Sequence, residues 1–257
     1  MFSMDIQSIA EKFNTLLEPE TYADVDPSTN GIQVESQAQE INHVAFAVDG
    51  ATATIEAAAS ANADMLVVHH GIIWNGVNRI SGRSYDHIQK LIKNDIALYA
   101  SHLPLDGNPE VGNAAQLAAG LGIEDHEPFG EMGPVTVGRK GELTTPQSLE
   151  TLVSDIEATL NDAGQEVQSL DFGPEEIESV AIVTGSGTDF LESAAEQADV
   201  LITGEGKQAA YHEAKERGIN LILAGHYATE TFGVQALQSM LDDEGLETTY
   251  VSHPTGF

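Results

Sequence analysis

Twice in this sequence a short apolar run, an Ala-rich segment of helical character and a second apolar run follow one another, and each time a third run comes after a further helix. In the first half Val44-Ala45-Phe46-Ala47-Val48-Asp49 leads to Ala63-Asp64-Met65-Leu66-Val67-Val68-His69-His70-Gly71. In the second, Val180-Ala181-Ile182-Val183-Thr184-Gly185 leads to Ala198-Asp199-Val200-Leu201-Ile202-Thr203-Gly204-Glu205-Gly206. Ile96-Ala97-Leu98-Tyr99-Ala100-Ser101-His102 is then echoed by Asn220-Leu221-Ile222-Leu223-Ala224-Gly225-His226. Such self-similarity constrains the architecture before any motif is interpreted. Strand-length apolar runs alternating with helices specify β-α-β units. The chain therefore reads as α/β, two similar units with sheets flanked by helices and a metal site expected in the crevice between them. Residues 1–125 make the first unit and 126–257 the second, with the C-terminal segment free to pack back on the first.

The clearest strands are Val44–Val48, Met65–Val68, Ile96–Ala100, Val180–Val183, Val200–Thr203 and Leu221–Ala224, with a further one at Ile32-Gln33-Val34. Helices are expected over Ala51–Ala61, Ser84–Asn94, Phe190–Ala198 and Lys207–Arg217, and over Tyr227–Leu241 opened by His226. Pro146–Asn161 reads as an amphipathic helix, with Leu149, Leu152, Val153, Ile156 and Leu160 at helical spacing. Glu124–Lys140 and Asp162–Pro174 read as punctuation between the halves, and Asp26–Gly31 as a turn.

Composition then removes whole classes of function. In 257 residues, 41 Asp and Glu stand against 10 Lys and Arg, a formal net charge of -31. That field repels nucleic-acid phosphates and anionic lipid. The acid is spread along the chain, as expected of a solvated coat adapted to a high-salt cytosol such as that of halophilic archaea. With no cysteine, Cys-ligated zinc, iron-sulfur clusters and thiol catalysis are excluded, and any metal must take His, Asp or Glu. No apolar stretch is long enough to span a membrane, and the start, Met1 to Asn14, has no signal-peptide pattern, so the expected location is the cytoplasm.

The candidate chemistry lies at the ends of the repeated strands. His69 and His70 close an apolar run just before Gly71, which permits a sharp turn. Neighbours on a strand point to opposite faces, so the pair suits either two metals or a local twist. A carboxylate follows each third-strand histidine at the same His-x-x-x spacing, Asp106 after His102 and Glu230 after His226, the latter pair on one helical face. Three neutral imidazoles, from His69, His70 and His226, with the carboxylates of Asp106 and Glu230 form a mixed N/O set of formal charge about -2, suited to zinc, manganese, iron or cobalt. Two divalent ions would leave about +2, enough to bring the pKa of a shared water to neutrality. His102 is the candidate to orient, to move protons or to serve as an extra ligand. Asp49 supports the site or caps a helix. Gly185-Ser186-Gly187-Thr188 either cradles a phosphate or is a plain strand-helix turn, since it lacks a Walker ending. Glu205 and Lys207 are placed to approach the crevice, whereas His43, His87, His126, His212 and His253 show no ligand spacing.

Val68-His69-His70-Gly71, His102-Leu103-Pro104-Leu105-Asp106, Thr203-Gly204-Glu205 and Gly225-His226-Tyr227-Ala228-Thr229-Glu230 together resemble the Nif-three-like family, a group with a dinuclear metal centre often labelled GTP cyclohydrolase type 2-like. The resemblance runs from Asn30-Gly31-Ile32-Gln33-Val34 nearly to the C-terminus, at the length of the compact members. It implies a homohexameric toroid with two divalent ions per subunit held by His69, His70, Asp106, His226 and Glu230, and with His102 in the same motif. The activity so implied is metal-dependent hydrolysis of a nucleotide or related small molecule, with attack at C8 of a purine as the cyclohydrolase form. The alternative is a non-catalytic scaffold, metal carrier or regulator; a purely structural subunit with fortuitous histidines fits the convergence of repeat and ligand types poorly.

Overall fold

The computed structural model describes residues 3–123, 125–160 and 166–257. Its strands are β1 (Gly31–Val34), β2 (His43–Asp49), β3 (Met65–His70), β4 (Ala97–Ala100), β5 (His126–Met132), β6 (Val135–Ser148), β7 (Gln168–Leu170), β8 (Glu176–Val183), β9 (Val200–Thr203), β10 (Asn220–Leu223) and β11 (Glu247–Tyr250). The helices are α1 (Ile6–Leu17), α2 (Thr52–Ser60), α3 (Arg83–Lys93), α4 (Leu103–Gly107), α5 (Asn113–Gly120), α6 (Leu149–Thr159), α7 (Leu191–Ala195), α8 (Gln208–Arg217), α9 (His226–Thr229) and α10 (Thr231–Asp243). The chain divides into two compact units: residues up to Leu105 with Gly233–His253, and Asp106–Phe232 with Pro254–Phe257. None of the described helices is long and apolar enough to cross a membrane.

The first unit holds a sheet of order β1-β4-β3-β2-β11, in which β2, β3, β4 and β11 run parallel and β1 antiparallel. Its central strands are buried almost throughout, which is why they read as unbroken apolar runs and not as alternating ones. Ala45, Ala47, Leu66, Val68, Leu98 and Ala100 form its core with Ile55 and Ala58 of α2 and Leu91 of α3. The second unit has the order β5-β6-β8-β9-β10-β7, with β8, β9 and β10 parallel and β7 antiparallel. Its core joins Val180, Ile182, Val200, Ile202 and Ile222 to Leu117 of α5 and to Leu152 and Ile156 of α6.

Both sheets thus carry the same four-strand order, the antiparallel strand beside the third parallel one. The Ala-Asp dipeptide of the repeat has a physical role. Asp64 accepts the amides of Asn42 and His43 at 2.7 and 3.1 Å, and Asp199 those of Glu178 and Ser179 at 3.0 and 2.9 Å. Each aspartate carbonyl then accepts the first amide of the third strand, Ala97 at 3.0 Å and Asn220 at 3.2 Å. This registers Ala97 with Asn220, so the third runs match one residue out of step with their sequence echo, and His102 is the structural counterpart of Gly225.

Several expectations change. The segment after Glu124 is a long hairpin, β5 and β6, turning at Gly133 with a φ of +59°; Glu124 itself lies outside the described residues, as do Asn161 and Asp162. Thr145 and Pro146 belong to β6 and do not start a helix; the strand pairing is irregular between Glu142 and Gln147, where a proline is tolerated. α6 begins instead behind Ser148, whose side chain accepts the Thr151 amide. The helix expected over Phe190–Ala198 is a 3-10 turn, Thr188–Phe190, followed by the short α7. Helix Tyr227–Leu241 is broken at Glu230, whose φ and ψ of -105° and 6° end α9 before α10 starts.

Candidate metal centre

In the first unit the carboxyl ends of three parallel strands converge, where open α/β sheets place their ligands. Ala47, Val68 and Ala100 are in register; two residues beyond each stand Asp49, His70 and His102. His69, fully buried, precedes His70. The imidazoles of His69, His70 and His102 each bring a ligand-capable nitrogen within 4.8 Å of the others, with ring centroids 4.6, 5.2 and 5.6 Å apart. Adjacent strand residues meet this way because β3 ends at His70, releasing the strict alternation of faces.

Gln33 secures that turn. Its Oε1 accepts the amides of Ile72 and Ile73 at 2.7 and 3.1 Å, and its side chain fills the space a Cβ on Gly71 would need. A glycine after the histidine pair is therefore a close-approach requirement.

Each ring is aimed through Nδ1. His69 Nδ1 lies 2.9 Å from the Ser101 carbonyl, His70 Nδ1 2.9 Å from Asp49 Oδ1, and His102 Nδ1 2.8 Å from Asp26 Oδ1. Carbonyl and carboxylate oxygens only accept, so Nδ1 donates and the neutral ring carries its lone pair on Nε2. Such partners orient metal-binding imidazoles and raise their basicity. Asp26 lies in the segment expected as a turn; it also accepts the amides of Ser28 and Leu103 and the Asn30 side chain. Burial works against its charge, but the bond and charge of His102 with the Asn30 and Ser28 bonds hold its pKa below the ordinary value.

The second unit presents a set of its own. His226 and Glu230 keep their spacing of four through the helix break, with Nε2 3.1 Å from Oε1. Glu230 and Asp106 are both buried and offer carboxylate oxygens within 4.8 Å of each other. Asp106 Oδ1 accepts from Asn113 Nδ2 at 2.8 Å and from the Thr184 hydroxyl at 3.2 Å. His226 repeats the pattern of the other imidazoles, its Nδ1 donating to Glu205 Oε1 at 3.0 Å. Burial alone would lower its pKa, but Glu230 and then Glu205 raise it to about 9. Glu205 is held low by the Ser186 hydroxyl and by His226.

The Gly185–Thr188 segment is a packing element for this set. Gly185 has a φ of +62°, and a Cβ there would stand 2.2 Å from Glu230 Oε1. Its amide donates to Thr229 Oγ1 and that of Gly187 to Thr203 Oγ1, at 3.0 and 2.8 Å. Those amides are consumed internally, against the phosphate-cradle expectation. Lys207, expected near the crevice, is exposed and paired with Asp189 at 2.8 Å.

The donors in both sets are imidazole nitrogen and carboxylate oxygen, which fit a divalent transition metal. The family model described as Duf34/NIF3 (NGG1p interacting factor 3) matches residues 4–254. A Halobacterium salinarum protein named GTP cyclohydrolase 1 type 2 homolog is 48% identical over 254 residues, 98% of this chain and 100% of that one. Among solved structures, the structural-genomics protein ybgI, of unknown function, is similar at a TM-score of 0.89 and 36% identity, over 99% of this chain and 100% of that one. The crystal structure of a Thermus thermophilus protein matches with the same identity and coverage at a TM-score of 0.90.

Proposed function

The chain belongs to the Duf34/NIF3 family, and from that premise we propose that it is a metal-dependent hydrolase acting on a nucleotide or a related small molecule. His69, His70, Asp106, His226 and Glu230 are the proposed ligands of two divalent ions, zinc, manganese, iron or cobalt. The observation that carries this reading is the common orientation of the imidazoles: four histidines each commit Nδ1 to an oxygen acceptor, which directs the lone pair of each neutral ring to Nε2. Bound ions there would polarise a carbonyl, a ring carbon or a phosphoryl group and acidify water.

The protein's own part is to hold the ligands and to move protons. His102 Nε2 accepts a proton from the attacking water, while Asp26 stabilises the imidazolium so formed. The naming of relatives as GTP cyclohydrolase homologues supports a purine nucleotide as substrate class, with attack at C8 as the corresponding reaction. The homohexamer expected from family likeness belongs to the same reading; light scattering of the purified protein tests it.

A second reading, a binding module without turnover, is favoured by the internal use of the Gly185 and Gly187 amides, which leaves that loop unsuited to phosphate. The deciding experiment starts with metal content per chain of protein purified without added metal, wild type against Asp106→Ala. Incubation with GTP and a nucleotide panel follows. Product formation abolished both by chelation and by His226→Ala supports the hydrolase. Tight metal retention with no turnover supports the module, and equal metal content in wild type and Asp106→Ala defeats the ligand assignment.

A further inference from the structure

Beyond the histidine pair the chain forms a groove of about 300 Å³, lined by Ile72, Trp74, Val77, Asn78, Arg79 and Ile80 among others. That volume is at the lower end of small-molecule sites. Trp74 is its aromatic wall. Its Nε1 donates to the Gly71 carbonyl at 2.9 Å, which fixes the indole. The ring stands edge-on to His102, with centroids 5.0 Å apart and planes at 72°, and its centroid lies 6.2 Å from that of His70. A molecule in the groove therefore adjoins the imidazole trio through a single indole ring.

The apolar wall is open: Trp74, Val77 and Ile80 are 37%, 59% and 53% exposed. The groove also carries a cation, Arg79, in a strongly acidic chain. Lys12, Lys90, Lys140, Lys207 and Arg217 each pair with a carboxylate. Among the described residues Arg79 in the groove makes no ion pair, a state it shares with Arg83 and Lys93 of α3 and with Lys215, although 41 acidic side chains are available. An uncommitted guanidinium group, that of Arg79, in a groove with an open aromatic wall is suited to an anion attached to a flat ring, since Arg recognises phosphate and carboxylate by paired N–H bonds and an indole face takes a heterocycle by offset stacking.

We propose that this groove is a subsite for a planar heteroaromatic ring carrying an anionic group, the ring packed on Trp74 and the anion held by Arg79. The proposal rests on the nucleotide reading of the neighbouring centre and names the side chains that select for it.

Trp74 is the sole tryptophan of the chain, so its emission reports on this groove alone. GMP, guanosine and ribose 5-phosphate are titrated against the protein as purified and after chelation. GMP is expected to quench saturably, guanosine to bind roughly tenfold more weakly, and Arg79→Gln to reduce GMP to the guanosine level. Trp74→Phe, checked for an unchanged unfolding midpoint, is expected to weaken GMP binding in calorimetry. Equal affinity for GMP and ribose 5-phosphate, or a GMP affinity untouched by Arg79→Gln, overturns the subsite. Quenching without turnover removes the hydrolase and leaves the subsite standing; turnover without quenching removes the subsite alone.

Discussion

Asp26 Oδ1 accepts the Nδ1 proton of His102 at 2.8 Å, and the other oxygen of the same carboxylate accepts the Leu103 amide at 3.0 Å. One buried side chain thereby fixes both the ring that faces His69 and His70 and the backbone that carries it. Asp26→Asn keeps the shape but turns one acceptor into a donor. A loss of about 2 kcal/mol in urea unfolding is expected, with metal affinity falling roughly ten- to hundredfold. The pKa of Asp26 is depressed in the folded protein. Its contribution is therefore full above the unfolded value of about 3.9 and is lost as pH falls through the lower folded one. A stability gap between wild type and Asp26→Asn that persists unchanged in strong acid would contradict this.

Gly185→Ala tests the packing beneath Glu230. The new Cβ would lie 2.2 Å from Glu230 Oε1 and 3.1 Å from His226 Nε2, at a φ of +62°. Gly122→Ala is the control, since its φ is +75° with nothing within 4 Å. Both variants carry a backbone strain of about 1 kcal/mol. Only Gly185→Ala is expected to lose bound metal, measured by elemental analysis of the folded protein. Equal metal loss in the two variants would refute a specific role for this glycine.

His226 should make metal binding release a proton. With its pKa raised to about 9, the metal-free ring is charged at neutral pH, donating through Nδ1 to Glu205 and through Nε2 to Glu230. A metal at Nε2 must displace that second proton. Calorimetry in buffers of different ionisation enthalpy is expected to show about one proton less released by His226→Gln at pH 7. For the metal-free fold the sign is fixed: a raised pKa adds stability in full below the unfolded value of about 6.5, and this is lost as pH rises through about 9. Metal-free wild type should therefore lose its advantage over His226→Gln in alkali; an advantage that grows there would refute the pairing.

The acidic coat predicts salt dependence. A net charge of -31 repels itself at low ionic strength and is screened at high. The thermal midpoint is expected to rise steadily between about 0.1 M and about 2 M KCl. A midpoint indifferent to KCl would remove the high-salt explanation of the composition.

The parallel strands β2, β3, β4, β8, β9 and β10 were legible because parallel strands buried on two faces leave uninterrupted apolar runs, as in Met65–Val68 and Val200–Thr203, whereas β11 and β7, at the edges of the two sheets, were not. The boundaries of the legible strands moved by a residue or two, except that β8 begins four residues earlier, at Glu176. The β5–β6 hairpin was hidden because its exposed stretches, such as Thr144–Pro146, break the alternation that marks a strand. Asp26 and Gln33 were missed as site residues for another reason. Asp-Pro-Ser-Thr-Asn-Gly is ordinary turn chemistry, and nothing local to it records that the carboxylate meets His102, which is 76 positions away. The family motif enclosing Gln33 was the one available signal.

The sequence by itself determined the repeated α/β pattern, the restriction to nitrogen and oxygen ligands, and the identity of the histidines and carboxylates, because each is a matter of residue type and local period. Tertiary structure alone decided that Nδ1 of every one of those imidazoles is committed to an oxygen, that α9 stops at Glu230, that Asp106 joins the second unit, and that Gly185 must lack a side chain. Those features depend on strand register and on contacts between distant segments. Neither leaves a trace in the spacing of residues along the chain.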